Sequence, residues 1–361
     1  MSLSDFDPNM RVSTLKNEDS YNFYNAGTEP FRVCGLIKDT DGIYRRIPNE
    51  VAKTVSDGVV YTNEYTAGGR FIFRTNANRL AIKTTMPRME TQSNVCFMNC
   101  CGMDIYKREG IKQRYLRSLI PPIDITTGGF AMEADLYDED EKDIIIYTSA
   151  HATLKDIYIG IPKDCYVCVA KYSYTIENPV VFYGSSITQG TAAGRSGVCY
   201  PSLLSQALDF DYVNLGFAGN GKAEKEIADY VASLPMSAFV YDYDHNSPTV
   251  EYLEKTHERM YLTVRSKHPD IPVIMMSRPQ FQQIGIDEAT RRFKIIEKTY
   301  KNALARGENV YLIDGRHMYD KFGFSNCVND NSHPNTLGMY AMYDTVLPVL
   351  KKALALCTGR M

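Results

Sequence analysis

The sequence predicts a two-part α/β protein: an antiparallel sandwich or jelly roll, followed by a three-layer domain on a parallel sheet. The chain changes character near residue 175. Before that point, short β-rich segments alternate with turn signals; after Pro179, apolar strands alternate with helical patterns. At 361 residues the chain is also long for one core, which favours two domains, 1–175 and 176–361.

In the first part, Arg70-Phe71-Ile72-Phe73-Arg74, Leu80-Ala81-Ile82-Lys83-Thr84 and Asp143-Ile144-Ile145-Ile146-Tyr147 read as strands. Gly68-Gly69, Asn76-Ala77-Asn78, Pro121-Pro122 and Gly128-Gly129 punctuate them. Residues 50–170 show little sustained helical period. In the second part, strands are readable at 180–183, 212–217, 238–243, 272–276 and 309–313. Val250, Leu253, His257, Met260 and Val264 recur at helical spacing, with Ser247-Pro248 as cap and first turn. Ala289, Phe293, Ile296, Tyr300 and Ala303 do the same, ending at Gly307. A final helix is expected over about 337–356. Strands separated by helices imply a parallel sheet, whose reactive groups collect at the strands' carboxyl ends.

Composition narrows the class. Hydrophobic content of 44% and charged content of 23% are those of a soluble globular protein. A net charge of −3 favours neither nucleic acid nor an anionic membrane surface, and no apolar stretch approaches a membrane span. Met1-Ser2-Leu3-Ser4-Asp5-Phe6-Asp7 lacks the regions of a signal peptide, giving a cytoplasmic expectation. Nine cysteines, an odd number, fit free thiols better than a disulfide framework. Cys165 and Cys168 lie in an apolar, strand-like stretch and read as small buried hydrophobes; no second pair completes a zinc site.

Four strand-end stretches can carry chemistry. Val180-Val181-Phe182-Tyr183 ends in Gly184-Ser185-Ser186-Ile187-Thr188-Gln189-Gly190, ahead of a helix containing Leu203, Leu204 and Leu208. Gly184 and Gly190 are read as letting the backbone bend around Ser186, although a glycine-serine loop can simply reverse direction. Asn214-Leu215-Gly216-Phe217-Ala218-Gly219-Asn220 offers a glycine N–H to a developing oxyanion, or forms a turn capped by Asn220. In Tyr241-Asp242-Tyr243-Asp244-His245-Asn246-Ser247-Pro248, Asn246 can aim its amide at the same oxyanion or begin the next helix. Asp242, Asp244 and His245 invite a metal reading but alternate along a strand with no further ligand cluster. In Asp330-Asn331-Ser332-His333-Pro334, the carboxylate can accept from one imidazole nitrogen and leave the other to take the Ser186 proton. Serine, histidine and carboxylate in this setting suggest ester cleavage through an acyl-serine.

Gly184-Ser185-Ser186, Gly219, Asn246 and Asp330-x-x-His333-Pro334 resemble blocks I, II, III and V of the SGNH (GDSL-type) hydrolases, over roughly residues 178–355. The N-terminal part is similar to the β-sandwich fused ahead of some SGNH hydrolases that act on acylated carbohydrates. That second likeness rests on layout and on stretches such as Gly69-Arg70-Phe71-Ile72-Phe73-Arg74-Thr75. The resemblance implies a flavodoxin-like α/β/α domain. It makes Ser186 the nucleophile and an oxyanion donor through its own N–H, with Gly219 N–H and the Asn246 side chain completing the hole. His333 would be general base and then acid, and Asp330 would orient it. Each oxyanion donor would be worth about 3 kcal/mol. The implied substrate is a short acyl group, acetyl foremost, on a small-molecule or oligosaccharide hydroxyl, with no metal or organic cofactor.

The chain departs from that pattern at Ser185, where aspartate is usual, at Asp244 for glycine, and at Ser247 for aspartate. Asp244 near the hole would oppose an anion, so it is expected to be hydrogen-bonded or to contact substrate hydroxyls. Arg278, and less so Arg195, are candidates for the cleft rim or for salt bridges. His317 is a rival base without the Asp-x-x-His-Pro setting, while His151, His257 and His268 read as surface or packed residues. The 26 tyrosines read mostly as core or interface. Two rival functions remain open: a lipase or thioesterase with an apolar acyl groove, and a carbohydrate-binding protein with a vestigial site.

Overall fold

The apolar runs after residue 175 form a five-stranded parallel sheet in the computed structural model, which describes residues 3–7, 12–123 and 128–358. Across the sheet the order is Phe210–Gly216, Ile176–Gly184, Ala238–Tyr241, Val273–Met276 and Val310–Ile313. Counted along the chain this is 2-1-3-4-5, the flavodoxin-like order. Strand order reverses at the first strand, so a crevice opens where the first and third strands end. Val180, Val181 and Phe182 are fully buried, as strands covered on both faces must be.

Helices cover both faces. Tyr200–Leu208 and Thr336–Thr358 pack in one core with Phe182 and Val240. Lys225–Ser233, Val250–Lys267 and Ile286–Ala305 pack in the other with Val181 and Phe239. Two sequence expectations shift locally. The third strand stops at Tyr241, because Asp242 leaves the extended region (φ −140°, ψ 34°) and Tyr243–Asn246 form a tight helical turn. The next helix is capped by Thr249, whose side chain accepts from Tyr252 N–H at 3.1 Å, and not by Ser247-Pro248.

Among the described residues the N-terminal part has two large antiparallel sheets and a two-stranded one, Ile37–Lys38 with Tyr44–Arg45. One large sheet has the order Tyr21–Asn25, Asp156–Pro162, Arg79–Thr85, Ala131–Asp135. The other runs Val167–Cys168, Arg70–Thr75, Lys142–Tyr147, Met103–Glu109, Lys112–Leu119, and Arg32–Cys34 also pairs with Arg70–Thr75. Side chains alternate between two cores. Phe71, Phe73, Ile144 and Ile146 face the first sheet, whereas Ile72, Ile145 and Tyr147 enter the core that holds Phe182 and Tyr212. Burial on both faces explains why Phe71, Ile72 and Phe73 are consecutive apolar residues within Arg70–Thr75.

Short helices do occur where little helix was expected: Asn49–Val55, Asp57–Asn63 and Phe97–Cys101. None exceeds seven residues, too few for a period to show. Cys165 and Cys168 are only half-buried, since Val167–Cys168 is a two-residue edge strand. The eight described cysteines are free thiols.

Three arginines join the sandwich to the second parallel strand and its ends. The fully buried Arg70 donates to Asp211 Oδ1 and to Tyr212 O, both at 2.8 Å, and lies 3.9 Å from the Tyr212 ring centroid. Arg108 grips Asp209 with two parallel bonds of 2.6 and 2.9 Å. Arg46 donates to the carbonyls of Thr62 and Gly216 and lies 4.5 Å from the Phe217 ring centroid. With carbonyls alone as partners, burial lowers its pKa to about 9.

Candidate active site

The first parallel strand ends at Gly184, and Ser185 caps the one-turn helix Ser186–Gln189 by accepting from Ile187 N–H at 3.1 Å. Gly190 closes that turn with φ +94°, which favours glycine. Gly184 serves differently from the expected bend: a Cβ there would lie 1.8 Å from Asp242 Oδ1. The elbow is thus tight because a buried carboxylate sits directly beneath it.

Ser186 Oγ is 2.8 Å from His333 Nε2, and His333 Nδ1 is 2.7 Å from Asp330 Oδ2. Asp330 Oδ1 accepts the backbone N–H groups of His333 at 2.7 Å and Ser332 at 3.1 Å. Burial acts to raise the Asp330 pKa, but hydrogen bonds from the His333 backbone and ring outweigh it and hold the carboxyl below its usual value. An ionised carboxylate only accepts, so the His333 proton sits on Nδ1 and the Nε2 lone pair faces the serine hydroxyl. That arrangement can move the Ser186 proton onto the neutral imidazole, giving an imidazolium held by Asp330.

Gly219 and Asn246 border the same cleft. Gly219 is exposed, with φ +69°. Its loop is held by Gln189, which accepts from Ala218 N–H at 3.2 Å and donates to Ala150 O at 3.0 Å. Asn246 donates one amide hydrogen to Phe217 O at 2.9 Å, and an amide carries two.

The other sequence candidates lie elsewhere. Asp244 is buried: its carboxylate accepts from Arg278 N–H at 3.0 Å and pairs with Arg292 at 3.5 Å, so it is hydrogen-bonded and away from the cleft lining. Arg278 is 2% exposed and reaches His245 Nδ1 at 3.1 Å and Gln283 Oε1 at 2.7 Å, behind the cleft wall. Arg195 bonds Asp104 and Tyr106 of the sandwich at 3.1 and 2.6 Å, which makes it an interface residue and not a rim residue. Asp242 bonds Thr188 and Tyr200. His317 pairs with Asp320 at 2.8 Å, outside the cleft.

Two histidines enter the site without having been singled out for it. His245, read only as a metal candidate, lines the cleft. A guanidinium can only donate, so Nδ1 accepts from Arg278 and the proton on Nε2 points to Ser332 Oγ at 2.9 Å. Burial, then the charges of Arg278 and His333, keep its pKa well below the usual value. His151, from the sandwich, also lines the cleft; it is 5% exposed and its Nε2 has no hydrogen-bond partner among the described residues. Burial lowers its pKa to about 4.

The cleft, about 600 Å³, is walled on its far side by sandwich residues, among them Tyr61, Tyr65, Glu90, Gln92 and Asn94. The Arg88 guanidinium lies 3.7 Å from the Tyr61 ring centroid, and Tyr61 OH donates to Glu90 at 3.0 Å. No sequence signal marked this wall, because its residues come from one two-turn helix, Asp57–Asn63, and from irregular segments with no period. A second cleft of about 630 Å³, bordered by Asn76, Arg79, Asp135 and Glu139, has no serine or histidine in its lining.

The fold and this crevice define an α/β ester hydrolase. Residues 177–351 match the GDSL-like lipase/acylhydrolase family, and residues 21–167 match the GxDLY family, the N-terminus of SGNH-hydrolase-type esterases. The chain belongs to the SGNH, or GDSL-like, acylhydrolases. No curated protein matches it. Among solved structures, a Bacteroides ovatus protein assigned as a GDSL-like lipase is 26% identical with TM-score 0.80, over 93% of this chain and 98% of the other. A salicylyl-acyltransferase from a tetracycline biosynthetic pathway is 16% identical with TM-score 0.76, over 95% and 99%. A family two carbohydrate esterase from Cellvibrio japonicus is 13% identical with TM-score 0.63, over 93% and 98%. The last two likenesses are of fold. No described helix is long and apolar enough to cross a membrane.

Proposed function

We propose that the protein is a serine esterase that removes a short acyl group, acetyl foremost, from a carbohydrate hydroxyl. The reading rests on the unbroken run of hydrogen bonds from Ser186 through His333 to Asp330. Ser186 Oγ attacks the ester carbonyl as His333 Nε2 takes its proton. The oxyanion is met by the N–H groups of Ser186 and Gly219 and the second Asn246 amide hydrogen. His333 then returns the proton to the leaving alcohol, and water repeats the sequence to release the acid. Residues 176–361 carry these steps, and residues 1–175 are the accessory domain that walls the cleft.

The substrate half rests on the lining. Apart from Tyr61, Tyr65, Val95 and Ala218, the cleft's side chains are polar. A long acyl chain needs a continuous apolar groove, whereas a sugar needs hydrogen-bonding groups with aromatic faces among them. The carbohydrate esterase of similar fold supports the same class. The test is hydrolysis of p-nitrophenyl esters of increasing chain length, then of acetylated saccharides. Wild type should prefer acetate and Ser186→Ala should fall by at least about 10³ in kcat. Turnover in Ser186→Ala equal to wild type would end the serine reading; a preference for long chains would replace the substrate.

A further inference from the structure

We propose that Asn94, on the sandwich, is a positioning residue for the Asp330–His333 pair. The proposal rests on the serine reading above. Asn94 Nδ2 donates to Asp330 Oδ2, the same oxygen that accepts the His333 Nδ1 proton. Asn329 Nδ2 donates in return to Asn94 O at 3.1 Å, so the contact is two-sided. The segment is itself pinned: Val95 packs with Cys100 and Cys101, and Asn99 Nδ2 donates to Gly190 O at 2.8 Å and Thr191 O at 2.9 Å. Residues 94–99 therefore touch the carboxylate on one side and the loop after Ser186 on the other.

The chemistry follows from counting lone pairs. Oδ1 is filled by two backbone donors, and Oδ2 by the imidazole and the Asn94 amide. Four donors leave the carboxylate one orientation, and with it the ring of His333. The amide also draws charge from Oδ2 and tempers the bond to the imidazolium. Without it the carboxylate holds the imidazolium more strongly, and His333 should keep its proton to higher pH. The ionisable groups around His333 are Asp330, His245 and His151, with Arg278 and Arg292 behind His245. Both neighbouring histidines are held neutral by burial; Glu90 also lines the cleft, and Asp242, beneath the Ser186 turn, has a pKa raised by burial to about 7, so the test reads the change in the acid limb between wild type and the Asn94 variants, which alter only the contact to Asp330.

The experiment measures kcat and KM for p-nitrophenyl acetate against pH, using the full chain as wild type, Asn94→Ala and the near-isosteric Asn94→Asp, with thermal melts beside them. Outer hydrogen-bond partners that orient an imidazole are worth about 10–100-fold, so Asn94→Ala should lose about tenfold in kcat, with KM within about twofold. Its acid limb should move up by about half a unit, and that of Asn94→Asp further, since a second carboxylate then faces Asp330. If Asn94→Ala does not fold, Asn94→Asp decides alone. An acid limb unmoved in every folded variant overturns the proposal, whatever the rate, because a purely structural residue would leave the profile in place. Should Ser186→Ala be inactive while the Asn94 variants behave as wild type, only this inference fails. Should Ser186→Ala stay active, the serine reading fails first.

Discussion

Replacing Asp330 by asparagine should cost about 10⁴ in kcat, near 5.5 kcal/mol, with little change in KM. The size follows from which atoms are already committed. Oδ1 accepts two backbone N–H groups, at 2.7 and 3.1 Å, so an amide at this position must keep its oxygen there. Its NH₂ then occupies the place of Oδ2, 2.7 Å from His333 Nδ1. A donor facing a donor forces the imidazole proton onto Nε2, which lies 2.8 Å from Ser186 Oγ. A protonated nitrogen cannot take the serine's proton. Asn94, whose NH₂ donates to Oδ2 in the wild type, must turn its amide oxygen to the new NH₂; the geometry then survives in this variant and the tautomer does not. Initial rates on p-nitrophenyl acetate at neutral to mildly alkaline pH, with a thermal melt to establish folding, would measure the loss. Activity within tenfold of wild type in a folded Asp330→Asn would show that the carboxylate does not set the tautomer.

Removing the Asn246 amide in Asn246→Ala should lower kcat by about 10²–10³ with KM nearly unchanged, the signature of a group felt mainly by the transition state; a loss confined to KM would place Asn246 in ground-state binding instead. Asp242 beneath the elbow carries a pKa raised by burial to about 7 from 3.8. Because the folded state holds that proton more tightly, the wild type is favoured at acid pH and loses stability as pH rises from about 4 to about 7. Urea unfolding should therefore show Asp242→Asn gaining on wild type by about 2–4 kcal/mol between pH 4 and pH 8; an equal gap at both pH values would mean that the acid is not perturbed.

The sequence was readable wherever chemistry and periodicity coincided. Ser186 and Asn246 each follow an apolar strand, and Asp330 and His333 share one turn, so their meeting at one sheet edge follows from topology. Alternatives stayed open where a residue's partner came from elsewhere. Asp244 could be read as hydrogen-bonded or as meeting substrate, and Arg292, on a helix well downstream, makes it the first. Arg195 could be read as a rim residue or a salt bridge, and Asp104 of the sandwich makes it the second. Gly184 was read for its flexibility, and what requires it is the Asp242 oxygen against its backbone. Asn94 was not singled out and His151 was read as a surface or packed residue, because both lie on irregular segments of the other half and nothing local to them announces what they face.

Arg46, Arg70 and Arg108 reach from one half into the backbone and acids of the other. Withdrawing any of them would break buried, charge-assisted hydrogen bonds across the interface, at a cost above the thermal energy that drives hinge motion. The tyrosine-bearing wall is thus tied, through Arg46 and the Thr62 carbonyl beside Tyr61, to the parallel sheet it faces. In the proposed reaction, admission to Ser186 is decided by the shape of the cleft mouth, and a changed preference would be carved into its rim residue by residue.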